Sequence, residues 1–153
     1  MKILILGHGR HGKDTFAELL GLEYISSSEA ALDVIWPALK EITLFAKKET
    51  AFEERHEWRE IWKELISLYN TPDKSSLAKL ILSKNDVYVG MRCIEEFEAS
   101  EHLFDVIYYV DASKRVNYVD PTMSIPYDPE TMVLIDNNGD LASLDEIAAR
   151  YRE

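Results

Sequence analysis

The chain has 153 residues and a mass of 17.6 kDa, with 46% hydrophobic and 29% charged residues. These values suit one compact globular domain and exclude disordered and fibrous classes. Seventeen Lys and Arg against 28 Asp and Glu give a net charge of −11, which disfavours extended wrapping of a nucleic acid. Cys93 is the single cysteine, so an internal disulfide and a multi-cysteine zinc site are excluded. No apolar run reaches the roughly 18 residues of a membrane span, and we expect a cytoplasmic protein.

The first element in chain order is an apolar run from Ile3 to Leu6 without alternation, the pattern of a strand buried on both faces. Further strands are predicted at residues 86–90, 106–111 and 131–136, with a weaker one at 24–26. Strands that alternate with helices indicate parallel pairing through right-handed crossovers. The sequence therefore predicts a three-layer α/β/α sandwich with a mainly parallel sheet, as a single domain over residues 1–153.

Helix starts are predicted from three capping-box patterns, which begin at Ser26, Thr50 and Ser143. Apolar residues at helical spacing continue as far as Tyr69, which predicts one long amphipathic helix from Thr50 onward. Pro37 is expected to kink or divide the helix in which it lies.

The most specific motif follows the first strand and reads Gly7-His8-Gly9-Arg10-His11-Gly12-Lys13-Asp14-Thr15. It matches the phosphate-loop pattern G-x-x-x-x-G-K, with Asp14 where Ser or Thr usually follows the lysine. Backbone N–H groups of such a loop, at a helix N-terminus, cradle phosphate, so all nine residues are predicted to bind ATP. Lys13 would bridge the β- and γ-phosphates, and Asp14 would bind Mg²⁺ directly or through water. The alternative is a glycine turn with a solvated lysine.

The Gly-Lys-Asp-Thr sequence at residues 12–15 resembles the bacteriophage deoxynucleoside monophosphate kinases, a P-loop family. Residues 87–92, followed by two glutamates, resemble that family's strand ending in Asp-x-Arg. Gly90 stands where the family has its aspartate, so the acidic group is missing from this strand end. The tail at 134–141 looks like the adenine-side loop of a broader kinase group that includes dephospho-coenzyme A kinase. This resemblance assigns Asn138 and Gly139 to the nucleotide.

A second resemblance is to phage-encoded P-loop kinases that phosphorylate 5-hydroxymethyluracil in DNA. The phosphate loop and the Tyr-Val-Gly-Met-Arg segment at residues 88–92 carry it. The motifs do not separate the two groups.

Two arginines are assigned through these resemblances. Arg92 follows a strand end, the edge at which open α/β sheets bind ligands, and resembles the arginine that binds the acceptor or its phosphate. The alternative for Arg92 is a salt bridge to Glu95 or Glu96. Arg115 lies where related kinases begin a lid and place a transition-state arginine, here a short lid over residues 113–129. The alternative for Arg115 is a solvated side chain.

Arg55 and Arg59 are one helical turn apart, and His56 lies beside them. They are predicted to form an anion- and base-binding wall for the acceptor. The alternative is a ladder of surface ion pairs with neighbouring glutamates, which stabilises an exposed helix by about 0.2–0.5 kcal/mol per pair.

Two aspartates are candidates for proton or metal chemistry. Asp33 lies where such kinases often keep a carboxylate facing the acceptor, and would act as a base for an alcohol acceptor but is not needed for an ionised phosphate monoester. Its alternative is an ordinary exposed aspartate. Asp111 ends a predicted strand and would hold metal-bound water in place of the carboxylate absent at Gly90. Its alternative is a cap on the following turn.

These residues favour an ATP- and Mg²⁺-dependent phosphotransferase that acts on a nucleotide, with a deoxynucleoside monophosphate as the leading acceptor. Two alternatives stay open, a kinase for 5-hydroxymethyluracil in phage DNA and a nucleotide-binding ATPase or switch without an acceptor. The predicted partner is a nucleotide acceptor, with a local contact to DNA and a homodimer left open and no membrane contact.

Overall fold

A four-stranded parallel sheet forms the middle layer of the protein. The computed structural model describes residues 1–43 and 45–152. The strands are β1 (Ile3–Leu6), β2 (Val87–Val89), β3 (Val106–Asp111) and β4 (Val133–Asp136). Their order across the sheet is β2-β1-β3-β4, and all neighbours are parallel. The four runs of unalternated apolar residues are therefore confirmed as strands.

Helices cover both faces of this sheet. They are α1 (Lys13–Leu19), α2 (Ser27–Ile42), α3 (Lys48–Glu53), α4 (Arg59–Tyr69), α5 (Ser76–Lys84), α6 (Ile94–Ser100) and α7 (Leu141–Ala149). A short 3-10 helix spans Glu101–Leu103. Alternate residues of β1 point to opposite sides, since Ile5 packs with α1 and α7 while Leu4 packs with α2, α5 and α6. The three-layer α/β/α architecture is thus confirmed.

The predicted long helix from Thr50 is wrong, because two helices replace it. Turns over residues 54–58 separate α3 from α4. The apolar spacing continues across the break because both helices pack on one cluster: Trp58 lies edge-on against Phe45 at 5.6 Å between ring centroids, and Trp62 is buried in the same cluster. Helical spacing therefore persists where the helix does not.

Three further local predictions are corrected. Residues 22–26 form no strand; they lead into α2, whose N-cap is Ser26 as expected. Thr50 lies inside α3, which begins after Lys47. Ser143 lies inside α7, where the carboxylate of Asp140 accepts its N–H at 2.9 Å. An aspartate three residues earlier therefore takes the capping role.

Helix α2 continues through Pro37 without division. Proline removes the hydrogen bond to the carbonyl four residues earlier, which here belongs to Asp33. Both residues are exposed, so water can bind the freed carbonyl. The opposite face of α2 holds the helix in place through five buried residues, Ala30, Ala31, Leu32, Ile35 and Leu39.

The crossover segment (residues 112–132) links β3 to β4 with turns only, without a helix or a strand. Asp120, Thr122 and Ile125 within it are nevertheless almost fully buried. The predicted lid at 113–129 falls on this segment, which lies packed against the protein. None of the described helices combines the length and apolar character of a membrane span.

Candidate active site

The phosphate loop lies between β1 and α1, as predicted. Two of its glycines lie so close to other segments of the chain that a side chain would not fit. Gly7 has φ +149°, and a Cβ there would lie 2.6 Å from the Val110 carbonyl oxygen. Gly12 has φ +93°, and its Cβ would lie 2.4 Å from Asn137 Nδ2. Side chains at either position would collide with neighbours, so the loop holds its wrapped shape only with glycine there.

Lys13 lies inside this loop, with only 8% of its surface exposed. Its Nζ donates to the carbonyl oxygens of Gly7 and His8, at 2.9 Å each. Burial, together with the nearby positive charge of Arg92, lowers the pKa of Lys13 to about 8. A Cβ at Gly90 would lie 3.8 Å from Lys13 Cε. The lysine therefore runs from the phosphate loop to the end of β2.

The two histidines of the loop hold the crossover segment. His8 Nδ1 accepts the N–H of Asp120 at 3.2 Å, and His11 Nδ1 accepts the N–H of Ala112 at 3.0 Å. Burial lowers the pKa of His11, which favours the neutral ring that this accepted hydrogen bond requires. Both imidazoles thus anchor the segment that follows β3, while their predicted contact with ATP stays a prediction.

Asp120 joins two of the predicted arginines. Its Oδ2 accepts from Arg59 Nη1 at 2.6 Å and from Arg92 Nη1. Its Oδ1 accepts from the N–H and the hydroxyl of Thr122, at 3.0 and 2.6 Å. The side chain is 1% exposed, and these hydrogen bonds and the two guanidinium groups lower the pKa of Asp120 to about 2 against the opposing effect of burial.

These contacts replace the ion pairs that were the alternatives for the arginines, while the roles of the arginines toward an acceptor stay predictions. Within the described residues, Arg59 and Arg92 form their ion pairs with Asp120, so neither the salt bridge from Arg92 to Glu95 or Glu96 nor the surface ladder at Arg59 is formed. Sequence reasoning missed Asp120. The available sign was its Asp-x-Thr spacing, which is typical of a side-chain turn.

The structure brings Arg55, His56 and Arg59 together along one cavity, while their binding of an acceptor stays a prediction. Arg55 stacks over the Phe52 ring at 4.1 Å and donates to the Phe52 carbonyl oxygen at 2.9 Å. His56 Nδ1 lies 2.7 Å from Arg59 Nη2. Burial lowers the pKa of Arg55 and of His56.

These side chains line a cavity of about 640 Å³, which we call the arginine cavity. It is bounded by α2, α4, α5, α6 and the end of β2. Its basic residues are Arg55, His56, Arg59, Lys63, Lys74 and Arg92, and its larger apolar or aromatic residues are Trp62, Ile66, Leu77, Tyr88 and Ile94. The arrangement offers positive charge beside an apolar wall, so it suits a ligand that is anionic at one end and flat or apolar at the other.

A buried acid also lines the arginine cavity. Tyr88 donates its hydroxyl to Glu96 Oε1 at 2.7 Å, and Glu96 is 5% exposed. Burial raises the pKa of Glu96 to about 7, although the hydrogen bond from Tyr88 opposes this shift. This carboxyl can therefore be protonated near neutral pH, when it both donates and accepts hydrogen bonds.

The structure does not bring Asp33 to the arginine cavity. Its carboxylate is 60% exposed and lies 3.3 Å from Lys48 Nζ, and it is not among the residues that line the cavity. Asp33 is therefore an ordinary exposed aspartate, which was the alternative given for it.

Arg115 also lies away from the arginine cavity. Its Nε donates to the Asn137 carbonyl oxygen at 2.6 Å, which ties the start of the crossover segment to the loop after β4. Asn138 Oδ1 accepts the N–H of Lys114 at 2.8 Å in the same region. The predicted adenine-side residues and Arg115 thus meet each other, while their roles toward a nucleotide stay predictions.

The two candidate metal ligands, Asp14 and Asp111, have different hydrogen-bond partners in the structure. Asp14 is exposed and its Oδ1 accepts from the Tyr24 hydroxyl at 3.0 Å. Asp111 Oδ1 accepts the N–H of Ser113 at 3.1 Å, which is the turn cap named as its alternative. Within residues 1–43 and 45–152, no group of three or more His, Cys, Asp or Glu could hold a metal ion by itself.

No family model and no curated protein sequence matches the chain significantly. The solved structures that resemble it include a gluconokinase from Sinorhizobium meliloti 1021, with 15% sequence identity and a TM-score of 0.45. Another is an unliganded sugar kinase from Janibacter sp. HTCC2649, with 17% identity and a TM-score of 0.46. Each alignment covers 98% of this chain and 92% of the other. Likenesses of this strength do not assign an activity.

Proposed function

We propose that the chain is an ATP- and Mg²⁺-dependent phosphotransferase whose acceptor is a nucleotide, with a deoxynucleoside monophosphate as the substrate class. One observation carries the proposal, namely that Lys13 of the phosphate loop reaches a residue that lines the arginine cavity. Gly90 is part of the cavity wall, and its Cβ position lies 3.8 Å from Lys13 Cε. A phosphate donor on the loop and an anionic acceptor in the cavity would therefore meet at Lys13.

The loop supports the donor half of the proposal. Its glycines allow the tight turn that leads from β1 into the N-terminus of α1, a position that favours bound phosphate, and Lys13 adds a buried positive charge. Asp14 is exposed in the first turn of α1 and would hold Mg²⁺ together with phosphate oxygens and water, as this ion prefers. The ion, when bound, neutralises charge on the phosphates.

The arginine cavity supports the acceptor half. Basic residues gather there in a chain whose net charge is −11, so the site is set apart from the rest of the molecule as one for an anion. Trp62 and Tyr88 provide flat apolar surface for a base. The Trp62 Nε1 is buried and has no hydrogen-bond partner among the described residues. A volume of about 640 Å³ falls in the range of small-molecule sites.

The chemistry requires positioning more than proton transfer. An oxygen of the acceptor's phosphate attacks the γ-phosphorus, the bond from that phosphorus to the bridging oxygen breaks, and ADP leaves. A phosphate monoester is already ionised at neutral pH, so no strong base is needed, and the exposed position of Asp33 supports such an acceptor. Arg59 and Arg92 would neutralise the charge that gathers on the oxygens in the transition state.

The test is transfer of label from γ-labelled ATP in the presence of Mg²⁺. Four reactions are compared, with mixed deoxynucleoside monophosphates, duplex DNA containing 5-hydroxymethyluracil, D-gluconate, and no acceptor. We expect labelled deoxynucleoside diphosphates, and loss of this product in Lys13→Met. The matched control is Lys79→Met, because Lys79 is exposed and pairs with Asp73.

The other outcomes assign other functions. Label in DNA would replace the nucleotide acceptor with a modified base, and label in gluconate would replace it with a sugar acid. Inorganic phosphate released equally with and without acceptor would identify an ATPase. Absence of any product would overturn the phosphotransferase itself.

A further inference from the structure

We infer that Asp120 occupies the anion position of Arg59 and Arg92 in the free protein, so that the acceptor's phosphate must displace it. The inference rests on the proposed function, because it takes an anionic acceptor as the ligand of these arginines. Asp120 then acts as an internal competitor, and an anion binds to the two arginines only if its affinity for them is high enough to displace the carboxylate.

The geometry of the carboxylate supports this role. A single oxygen, Oδ2, accepts from both guanidinium groups, as a phosphate oxygen between two arginines would. The same oxygen lies 3.3 Å from the Cβ position of Gly9, and Arg59 Nη1 lies 3.4 Å from it. The carboxylate therefore rests against the phosphate loop, at the place where donor and acceptor have to approach each other.

The arginines are not saturated by Asp120. Each uses Nη1 for this contact, and both line the arginine cavity. Two guanidinium charges face one carboxylate charge, so the cluster keeps an excess of positive charge. A phosphate monoester carries close to two negative charges at pH 7 and above, since its second pKa is about 6, and it has three acceptor oxygens where the carboxylate has two.

Displacement has a cost that every anion meets equally. Asp120 is part of the chain, and an intramolecular ligand acts at an effective concentration in the millimolar range or higher. A ligand shifts such an equilibrium only by its differential affinity for the two states. Removal of the carboxylate should therefore tighten the binding of any anion and leave uncharged ligands unaffected.

Two crossover residues near Asp120, Tyr118 and Ser124, contact the rest of the protein independently of the Asp120 carboxylate. The Tyr118 ring lies 3.1 Å from the Cβ position of Gly9 and 5.0 Å from the guanidinium carbon of Arg10. Ser124 donates its N–H to the Arg92 carbonyl oxygen at 2.8 Å. Arg59 Nη1 and Arg92 Nη1 also donate to the hydroxyl oxygens of Tyr118 and Thr122, at 3.4 and 3.1 Å. A change of the Asp120 rotamer would therefore remove the anionic partner of the two arginines and leave them these neutral contacts.

The test is calorimetric titration without ATP, with 2-deoxyribose 5-phosphate and with uncharged 2-deoxyribose, at pH 7.5 and fixed ionic strength. In Asp120→Asn we expect the affinity for the phosphate to rise about tenfold, the size of one lost charge-assisted hydrogen bond, and no gain for 2-deoxyribose. An unchanged or lower affinity for the phosphate would overturn the proposal, since a carboxylate that aims the arginines at the ligand predicts weaker binding without it.

Asp128→Asn is the matched control, because it removes the same charge from the same segment. Its carboxylate accepts the N–H of Glu130 at 2.9 Å, and we expect less than a twofold change. A tenfold gain in this control too would overturn the proposal, because it would show a general charge effect. Thr122→Ala is the second variant, in case Asp120→Asn does not fold. It keeps the carboxylate but removes the hydroxyl that donates to it at 2.6 Å and accepts from Arg92 Nη1 at 3.1 Å, so a smaller gain is expected and no gain contradicts the inference.

Binding without ATP keeps this test apart from the proposed function. A protein that transfers no phosphoryl group still shows the affinity change if Asp120 competes for the arginines. A protein that phosphorylates nucleotides, but whose Asp120→Asn variant binds the phosphate no more tightly, keeps the proposed function and loses this inference.

Discussion

Asp120 Oδ2 lies 2.6 Å from Arg59 Nη1, although 61 residues separate the two in sequence. The same oxygen accepts from Arg92, 28 residues away, so one carboxylate ties the crossover segment to the N-terminus of α4 and to the chain that follows β2. Two cations on one buried anion form a network, and the removal of one member affects the others.

This network predicts non-additive losses of stability. Arg59→Met and Arg92→Met should each cost about 1–2 kcal/mol in the free energy of unfolding, because the other arginine still neutralises Asp120. The double variant leaves the buried carboxylate without a cation and should cost about 5 kcal/mol, more than the sum of the two. Urea denaturation at pH 7 measures all three. Arg150→Met, at an exposed position, is the control, and strictly additive losses would contradict the network.

Lys13 gives a prediction that separates activity from stability. Lys13→Met should lower kcat/KM for transfer by at least about 100-fold, the scale on which a charge-stabilising group acts. It should not unfold the protein, because a methionine replaces the buried aliphatic stem. Initial rates of labelled transfer, with circular dichroism as the check on folding, decide the point. Turnover close to that of the wild type would exclude a role for Lys13 in phosphate binding.

The lowered pKa of Lys13 adds a pH dependence. The unfolded chain holds the proton up to a pKa of about 10.5, whereas the folded protein releases it at about 8. The charged lysine is therefore destabilising below pH 8, and this effect is lost as pH rises from 8 to 10.5. The free energy of unfolding of the wild type minus that of Lys13→Met should rise by up to about 3 kcal/mol over this interval. A difference that stays constant between pH 7.5 and pH 10.5 would contradict the buried charge.

The pKa of Glu96 is raised by folding, so the stability that this group contributes falls as pH rises, opposite to the effect of a carboxylate whose pKa is lowered. Its pKa in the folded state is raised from about 4.5 to about 7, so the folded protein prefers the protonated form. The resulting stability is complete below pH 4.5 and is lost as pH rises through 7. Glu96→Gln mimics the protonated form and should be more stable than the wild type by up to about 3 kcal/mol at pH 8, with most of this gain gone at pH 5.

Chemical denaturation of both proteins at the two pH values tests Glu96. Glu98→Gln is the control, since Glu98 lies on the same helix at an exposed position. A gain at pH 8 that persists unchanged at pH 5 would show that the carboxyl group is not the cause.

Local pattern predicts the parts of this protein that depend on near neighbours. The strand Ile3–Leu6 is apolar at each position because helices cover both faces of β1, and the phosphate loop follows from glycine spacing between a strand and a helix. The gap between α3 and α4 does not follow, because Trp58 packs in the same cluster as the residues on either side of it. Periodicity reports which residues are buried, and a turn that keeps them buried leaves no trace in it.

The burial and the partners of Asp120 could not be predicted from local pattern, for a different reason. The crossover segment has no helical or strand period, so the sequence identifies neither its buried residues nor its path. The two partners of Asp120 come from other parts of the chain, and only the fold brings them together. Asp33 shows the converse, since a plausible carboxylate in the sequence lies exposed beside Lys48.

The last prediction concerns Gly90, which directly follows β2 and lies beside Lys13. It has φ +96°, and a Cβ there would lie 3.2 Å from Ser27 Oγ. Gly21 has φ +72°, and no atom of the described residues lies within 4 Å of its Cβ position, so a side chain there would meet backbone strain but no collision. Gly21→Ala should cost about 1 kcal/mol in the free energy of unfolding, and Gly90→Ala about 1 kcal/mol more, because the new methyl group presses on the first turn of α2.

The two glycine variants should also differ in function. Gly90 and Ser27 both line the arginine cavity, so Gly90→Ala should raise the KM for the acceptor several-fold, while Gly21→Ala leaves it unchanged. Steady-state kinetics with a varied acceptor measure both. Equal costs in stability, with no change in KM, would mean that the end of β2 has room for a side chain, and that the arginine cavity does not depend on the absence of one at position 90.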